Sequence, residues 1–403
     1  MNISHLIALD DLGGLQTLFI SAAVRMQQAG YDFTVVNRAK QFPLPQFARK
    51  LSQAGVAARS PVAKSYSRLS RLAVDPTSSI AKSLGSRALR AALHTASQGP
   101  KKIVFWNTLP RADVLGRASD AVLYDHGLSS LKRPTRRGRE ALRLASTLIT
   151  VSSANAFLLR ERWGWCSPIE TIMNPLRQEI ADADPGGERR LPDGRTFVIG
   201  CAARLVPKKG IISAVHALGI LRDRGVDVRL LIAGDGIEAE RIGKKACELG
   251  LESHVHLLGP VQDMTSFFRS IDVLMAPSLR EPFGLSPLEA LAMGIPTILS
   301  NVDGHPEVLP FPEAATLIQP TLSLQRYSDL GAGDEEIPAF VFSPLHKNCV
   351  ATKAVDPVDL ANAITAILDR YEVHAATAYR AALSIRQRNS LATYISSLAS
   401  AIG

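Results

Sequence analysis

The stretch Ser278 to Ser300 reads SLREPFGLSPLEALAMGIPTILS and contains the most informative pattern of the chain. The apolar run before it ends near Met275 and predicts a buried strand, whereas the sequence from about Ser286 predicts a helix. In an open α/β sheet, ligands bind at the carboxyl ends of the strands, which is where the connecting loop must lie. We therefore expect Glu281, in the middle of this loop, to face a ligand-binding cleft.

Glu289 allows two interpretations. Ser286-Pro287-Leu288-Glu289 has the pattern of a capping box with proline at the first helical position, so Glu289 can serve the helix alone. Alternatively, Glu281, the flexible backbone around Gly284 and the free N–H groups of the helix N-terminus form a site for phosphate or sugar oxygens. Two carboxylates beside such a turn suit the vicinal hydroxyls of a ribose and a hexose.

A second loop with charged residues occurs earlier in the same half of the chain. The segment from Ala203 to Gly210 joins a predicted strand to a predicted helix, and it contains Arg204 and Lys209. As isolated residues these are typical surface charges. At the carboxyl end of a strand, however, paired cations can neutralise a diphosphate.

Strand patterns alternate with amphipathic helical patterns along the whole chain, which is typical of βαβ units and parallel sheets. A polar stretch from Gln178 to Gly194 interrupts the alternation and indicates a linker. At 403 residues the chain is long enough for about two domains. We therefore predict an α/β protein of two successive Rossmann-like domains, at 1–174 and 175–388.

The net charge of +9 is concentrated in one region. Residues 59–143 contain seventeen Lys and Arg against five Asp and Glu, a local charge of +12. The densest cluster comprises Lys132, Arg133, Arg136, Arg137, Arg139 and Arg143. A solvated surface without a partner is one interpretation, and attraction to an anionic membrane or a phosphorylated acceptor is the other. Nucleic acid is disfavoured because the cluster lacks interleaved aromatic residues.

The remaining sequence signals concern compartment and metal binding. The four cysteines, Cys166, Cys201, Cys247 and Cys349, lack the spacing of a zinc or redox motif, so we expect reduced, structural thiols. Residues 1–30 lack a signal-peptide pattern, and no stretch approaches the ~20 apolar residues that span a bilayer. These signals favour a cytoplasmic protein, with peripheral attachment to the inner face of the cell membrane as an option.

From Phe197 to Leu309 the sequence resembles glycosyltransferase family 4, which contains retaining enzymes of the GT-B fold. The motifs that carry the resemblance are Arg204, Lys209-Gly210, Gly234-Asp235-Gly236, Asp272 to Ser278, Glu281-Pro-Phe-Gly with Glu289 eight positions on, Gly294-Ile295-Pro296 and Gly304-His-Pro-Glu307. Several motifs in order, at the spacing of the family, make this a specific signal.

The N-terminal half resembles the family more weakly. Gly13-Gly14 stands where such enzymes have a glycine-rich loop against the donor phosphates, although adjacent glycines are common in turns. Asp125-His126-Gly127 matches the place of the active-site histidine, although a lone histidine is often a core or surface residue. Residues 319–347 depart from the family because they are longer and more irregular than its usual connection. The fold also implies that a terminal helix within 389–403 packs back on the first domain.

The resemblance implies a role for each matched residue. Glu289 would bind the ribose hydroxyls, Arg204 and Lys209 the diphosphate, and Glu281 with the amides of Phe283, Gly284 and Leu285 the transferred sugar. His126 would contact that sugar or the acceptor. The expected function is transfer of a sugar from a nucleotide sugar to a glycan, lipid-linked or lipopolysaccharide-type acceptor, without a metal or other cofactor.

The sequence bears on four alternative functions. Transfer to a soluble small-molecule glycoside remains open, as does a non-catalytic subunit that binds sugar nucleotides at a membrane. An epimerase or phosphorylase on the same scaffold would be distinguished by the release of free nucleotide coupled to an acceptor. An NAD-dependent dehydrogenase is disfavoured because neither half has a Gly-x-Gly-x-x-Gly turn.

Overall fold

In a computed structural model, the protein contains two successive β-sheets of parallel strands, each packed against helices, and a short antiparallel hairpin. The structure describes residues 2–10, 13–71, 87–89, 91, 101–107, 120–128, 133–191 and 194–403. The two parallel sheets and the helices around them confirm the predicted α/β fold class. Part of the basic region lies outside the described residues, including Lys132.

The first sheet has seven strands in the order β3-β2-β1-β4-β5-β6-β7, and all of its paired strands are parallel. The strands are β1 (Asn2–Ile7), β2 (Phe33–Asn37), β3 (Ala57–Arg59), β4 (Lys101–Trp106), β5 (Asp120–Asp125), β6 (Thr147–Thr150) and β7 (Glu170–Thr171). The described helices of this part are α1 (Gly14–Gln28), α2 (Pro45–Gln53), α3 (Pro61–Arg71), α4 (Arg136–Arg143) and α5 (Ser153–Trp163).

The second sheet has six parallel strands in the order β10-β9-β8-β11-β12-β13. The strands are β8 (Phe197–Ala202), β9 (Val228–Ala233), β10 (Val255–Gly259), β11 (Val273–Ala276), β12 (Thr297–Ser300) and β13 (Thr316–Ile318). The helices around it are α6 (Gln178–Asp182), α7 (Ile211–Asp223), α8 (Ala239–Glu248), α9 (Met264–Arg269), α10 (Leu285–Ala292), α11 (Leu324–Asp329), α12 (Pro357–Asp369) and α13 (Tyr371–Arg388), with short 3-10 turns at Pro207–Lys209, His305–Val308 and Pro312–Ala314.

Residues 319–347 contain α11 and lead into a hairpin of β14 (Phe340–Ser343) and β15 (Asn348–Ala351). The hairpin packs against α5 of the first domain, where the rings of Phe157 and Phe342 lie 4.9 Å apart. This segment thus contacts both halves of the molecule.

The last helix, α14 (Leu391–Ile402), packs on α1 and β6 of the first domain. The chain therefore crosses between the domains twice, once after β7 and once between α13 and α14. Asn389 joins the two crossings, because its side-chain amide donates to the Asn174 carbonyl and its own carbonyl accepts from the Leu176 N–H, both at 2.9 Å.

The core follows the periodicity of the sequence. One cluster of buried apolar residues extends from the first domain, through Ile7 and Ile149, to Phe283 and Leu288 of the second and Leu398 of the last helix.

The cysteines are free, but Cys166 and Cys247 are exposed, so the expectation of four structural thiols is too broad. Only Cys201 is fully buried within a strand.

Candidate active site

Glu281 lies in the loop between β11 and α10, with 12% of its side chain exposed. Its carboxylate accepts a hydrogen bond from the Lys209 ammonium, and its backbone N–H donates to Asp303 Oδ2 at 3.1 Å. Burial on its own would raise the pKa of Glu281, but the charges of Lys209, His305 and Arg280 and the hydrogen bond from Lys209 outweigh it and lower the pKa to about 2. Glu281 is therefore an ionised carboxylate held in a fixed position.

The turn after Glu281 leads directly into α10. Gly284 has a φ of 106°, in the left-handed region that favours glycine, and it is the N-cap of the helix. Because a helix leaves its first N–H groups without intrahelical partners, the backbone of this turn can donate to an anion or a hydroxyl. The Phe283 side chain is buried in the core, so Phe283 can reach a ligand only through its main chain.

Glu289 lies in the second turn of α10 with 1% of its side chain exposed. The capping-box interpretation is wrong, because the helix begins at Leu285, its N-cap is Gly284, and no side chain caps it. Instead, both oxygens of Glu289 accept hydrogen bonds from the guanidinium of Arg177. Arg177, on the segment between the domains, was not identified in the sequence.

The predicted diphosphate cations follow β8. Lys209 contacts Glu281, as described above, whereas Arg204 is 55% exposed and its Nη2 lies 3.3 Å from Glu336 Oε2. Lys208 also contacts Glu336, and its side chain is only 4% exposed. Lys208 was not among the predicted site residues, although its position beside Lys209 was a signal that could have identified it.

Arg280 is a further cation that sequence reasoning missed, although it precedes Glu281 directly. Its guanidinium is buried and donates to the Gly127 carbonyl of the first domain. Burial lowers the pKa of Arg280, and the carboxylates of Asp303 and Glu281 act against that effect. Asp303 is buried as well, and this burial raises the pKa of its carboxyl group to about 6.

The Gly127 contact brings His126 to the same region as Glu281. The His126 ring lies 4.2 Å from that of Tyr124 and stacks at 5.6 Å on that of Trp106. Burial lowers the pKa of His126 to about 3, so the imidazole is neutral near pH 7. Within the part of the chain that the structure describes, its buried Nε2 has no hydrogen-bond partner.

The Gly13-Gly14 turn begins α1 and faces the start of α10. A methyl group on Gly14 would lie 2.8 Å from Leu285 Cδ1, so a side chain there would make the Leu285 side chain shift. The structure therefore brings Gly14 and Leu285 together across the domain interface. Gly13 is the N-cap of α1, and a methyl group there would meet Gln16 rather than Leu285.

A third contact joins the two domains next to the site. Both carboxylate oxygens of Glu307 accept hydrogen bonds from the first N–H groups of α5, those of Ser153 at 2.7 Å and Ala154 at 2.9 Å. A negative charge at a helix N-terminus is favourable because of the helix dipole. The carboxyl edges of the two sheets therefore face each other, with the candidate residues of both along the cleft.

No group of three or more His, Cys, Asp or Glu side chains among the described residues is arranged to hold a metal ion. None of the helices in the described ranges is both long and apolar enough to cross a membrane.

Comparison with known proteins agrees with this geometry. Residues 188–330 match the model of the family described as glycosyl transferases group 1. The 2-deoxystreptamine glucosyltransferase of Streptomyces kanamyceticus is 30% identical over 175 residues, which cover 41% of this chain and 45% of that protein. The GDP-mannose-dependent alpha-(1-6)-phosphatidylinositol dimannoside mannosyltransferase of Mycobacterium tuberculosis is 36% identical over 178 residues, with the same two coverages. The matched region thus spans less than half the length of these relatives.

Similarity of fold extends over the whole chain. The crystal structure of HepE from Anabaena in complex with UDP has a TM-score of 0.71 and 20% sequence identity, and the alignment covers 99% of each chain. The expected arrangement of two Rossmann-like domains facing across a cleft is therefore confirmed. This protein has the GT-B fold, and residues 188–330 of its second domain match the group 1 glycosyl transferases.

Proposed function

We propose that this protein is a retaining glycosyltransferase that moves a sugar from a nucleotide sugar to a glycan, lipid-linked or lipopolysaccharide-type acceptor. The observation that carries the proposal is the contact between Lys209 and Glu281 at the carboxyl edge of the second sheet. A cation suited to phosphate and a carboxylate suited to sugar hydroxyls meet there, opposite His126 of the first domain. A sugar diphosphate needs both groups at adjacent positions.

The donor would bind mainly to the second domain. In this assignment Arg204 and Lys209 bind the diphosphate, and Glu281 with the amides of Phe283, Gly284 and Leu285 binds the transferred sugar. Gly13 and Gly14 would line the opposite side. Support comes from the matched relatives, whose names describe glycosyl transfer, and from HepE, which was solved with UDP.

Glu289 would bind the ribose hydroxyls while keeping its contact with Arg177. Each carboxylate oxygen has two lone pairs, and the bidentate contact uses one on each oxygen. The remaining lone pairs can accept hydrogen bonds from two vicinal hydroxyls. Arg177 would then hold the carboxylate in the orientation that the ribose requires.

Glycosyl transfer passes through an oxocarbenium-like state while negative charge builds on the departing phosphate. Lys209 and Arg204 would stabilise that charge more strongly in the transition state than in the bound donor. Retention would follow front-side attack, in which the leaving phosphate assists deprotonation of the acceptor, a scheme that needs no metal. His126, being neutral, would contribute a hydrogen bond to the sugar or the acceptor rather than a positive charge.

The basic region supports an acceptor at a membrane surface. Arg136, Arg139 and Arg143 lie on α4 and are exposed to solvent, and cationic surfaces of this kind are attracted to anionic lipids. The protein would then be cytoplasmic and peripheral at the inner face of the membrane. The mycobacterial relative is named for a phosphatidylinositol acceptor, whereas the Streptomyces relative is named for 2-deoxystreptamine, which keeps a soluble acceptor as the second candidate.

Screening nucleotide sugars for thermal stabilisation tests the donor part of the proposal, since a ligand that binds the native state raises its stability by mass action. We expect one nucleotide to stabilise the protein. The sugar conjugate of that nucleotide should release free nucleotide only when an acceptor is present. Absence of stabilisation by any donor would contradict the proposal. A donor that binds without any transfer would favour the non-catalytic sugar-nucleotide-binding subunit instead.

Sedimentation with vesicles separates the two acceptor classes. Binding to vesicles containing anionic lipid, lost at high salt, is expected for a membrane acceptor. No binding at low salt would favour the soluble acceptor.

A further inference from the structure

Lys208 is a cation of the candidate donor site with only 4% of its side chain exposed. It lies in the turn Pro207–Lys209 after β8, and its carbonyl accepts a hydrogen bond from the Leu279 N–H at 2.8 Å. Burial lowers the pKa of Lys208 to about 8. A buried ammonium needs a nearby anion to compensate for its lost hydration.

That anion is Glu336, whose Oε2 contacts both Lys208 and Arg204. Glu336 belongs to the segment 319–347 and lies beyond the residues 188–330 that match the family model. The contact crosses 128 sequence positions, so the segment has to fold back over the end of β8 to make it. One carboxylate oxygen thus occupies the position between two cations.

The backbone around Glu336 is held in place on its other side. The Gly333 N–H donates to Glu238 Oε1 at 2.8 Å, and Arg241 binds both oxygens of Glu335 at 3.0 and 3.1 Å. Glu336 itself has a φ of 62°, in the left-handed region that a residue with a side chain rarely adopts. Such a conformation persists where the surroundings fix it, and here it directs the carboxylate toward Lys208.

A diphosphate bound at Arg204 and Lys209 would lie beside the same cations. Its oxygens carry more negative charge than one carboxylate, so they can take over the contacts with Lys208 and Arg204. Because Glu336 is 41% exposed, it can move into solvent when this happens.

We propose that Glu336 competes with the donor diphosphate for Lys208 and Arg204, an inference that rests on the proposed function of the site. Glu336 neutralises these cations when the site is empty and is displaced when a nucleotide sugar binds. After transfer, the return of Glu336 to Lys208 favours departure of the nucleoside diphosphate. The segment 319–347 thereby sets how tightly the site retains its phosphate ligand.

The test compares the affinity of inorganic pyrophosphate for the wild-type protein and for Glu336→Gln, measured by isothermal titration calorimetry. Removing the competing charge is expected to tighten pyrophosphate binding about five- to tenfold, with the gain shrinking at high salt. The matched control is Glu252→Gln, which changes the net charge equally. Glu252 is exposed and precedes β10, at the opposite edge of the sheet, and its variant should bind like the wild type.

Equal or weaker pyrophosphate binding by a folded Glu336→Gln protein would overturn the proposal. Glu336→Asp, which keeps the charge but shortens the side chain, should give an affinity between those of the wild type and Glu336→Gln. The nucleotide-sugar screen is independent of this result. If no nucleotide sugar binds but Glu336→Gln binds pyrophosphate more tightly, the transferase proposal is wrong. The competition between Glu336 and a diphosphate for the cations is then still supported. If nucleotide sugars bind but Glu336→Gln shows no gain, the competition alone is wrong.

Discussion

The guanidinium of Arg177 binds both oxygens of Glu289, although 112 positions separate the two residues in the chain. Arg177 follows the last strand of the first sheet, and Glu289 lies in a helix of the second domain. The helix containing Glu289 is therefore fixed to the segment that connects the domains.

Arg177→Gln should lower the free energy of unfolding by about 3 kcal/mol, because it leaves the buried Glu289 carboxylate without its partner. Urea denaturation measures this loss. Arg177→Lys, which keeps the charge but loses the bidentate geometry, should cost less. The double variant Arg177→Gln with Glu289→Gln should recover part of the stability, and simple additivity of the two single changes would contradict the coupling.

Glu281→Ala should abolish most of the transfer activity while measurable nucleotide affinity remains. The expected loss is about two to three decades in kcat, the effect of removing one preorganised polar group from an active site. Steady-state kinetics with the donor found in the screen measure kcat, and calorimetry measures nucleotide binding. Unchanged turnover would exclude the assignment of Glu281.

Stability should fall as the pH drops below about 6.5. Burial lowers the pKa of His5 and His126 to about 3 and that of His305 to about 4, so all three are neutral in the folded protein at pH 5. In the unfolded chain they take up protons near pH 6.5. The unfolded state then binds more protons, so the free energy of unfolding decreases from pH 6.5 toward pH 4.

Replacing one of these histidines should make that pH dependence shallower. Urea denaturation of His126→Asn at several pH values should show a smaller loss of stability on acidification than the wild type. His256→Asn is the control, because His256 is exposed. An unchanged slope for His126→Asn would show that His126 is not the buried neutral group described above.

Glu307→Gln should weaken the contact between the domains. The carboxylate caps the N-terminus of α5 across the interface, and loss of its charge should cost about 1 kcal/mol. We also expect the cleft to open, which small-angle X-ray scattering would detect as a larger radius of gyration. Glu313→Gln, in an exposed position of the next 3-10 turn, should change neither quantity.

The fold and one edge of the site were predictable because they depend on local patterns. Alternation of apolar strands and amphipathic helices is set by side-chain periodicity, and it places the loop of Glu281 at the carboxyl edge of a sheet. The capping pattern places the N-cap at Ser286, two residues after the observed N-cap, Gly284. Gly284 caps α10 with a positive φ, which the Ser286 pattern does not reveal.

The contacts of the site were not predictable because they depend on tertiary packing. Lys208 and Lys209 are indistinguishable as adjacent residues, and only the 3-10 turn directs one to Glu336 and the other to Glu281. Arg280 likewise gains its importance from Gly127, 153 positions away. Partners at such separations leave no pattern in a single sequence.

The two chain crossings joined by Asn389 have a mechanical consequence. Asn389 and Asn174 are buried, and their hydrogen bonds keep the crossings side by side. If the domains rotate relative to each other, the crossings act as one hinge rather than as two independent tethers. Residues close to the hinge, such as Arg177, move little during such a rotation, whereas the distant mouth of the cleft moves most. Substrates would therefore enter and leave on the side opposite the hinge, while the proposed ribose end of the donor site stays nearly still.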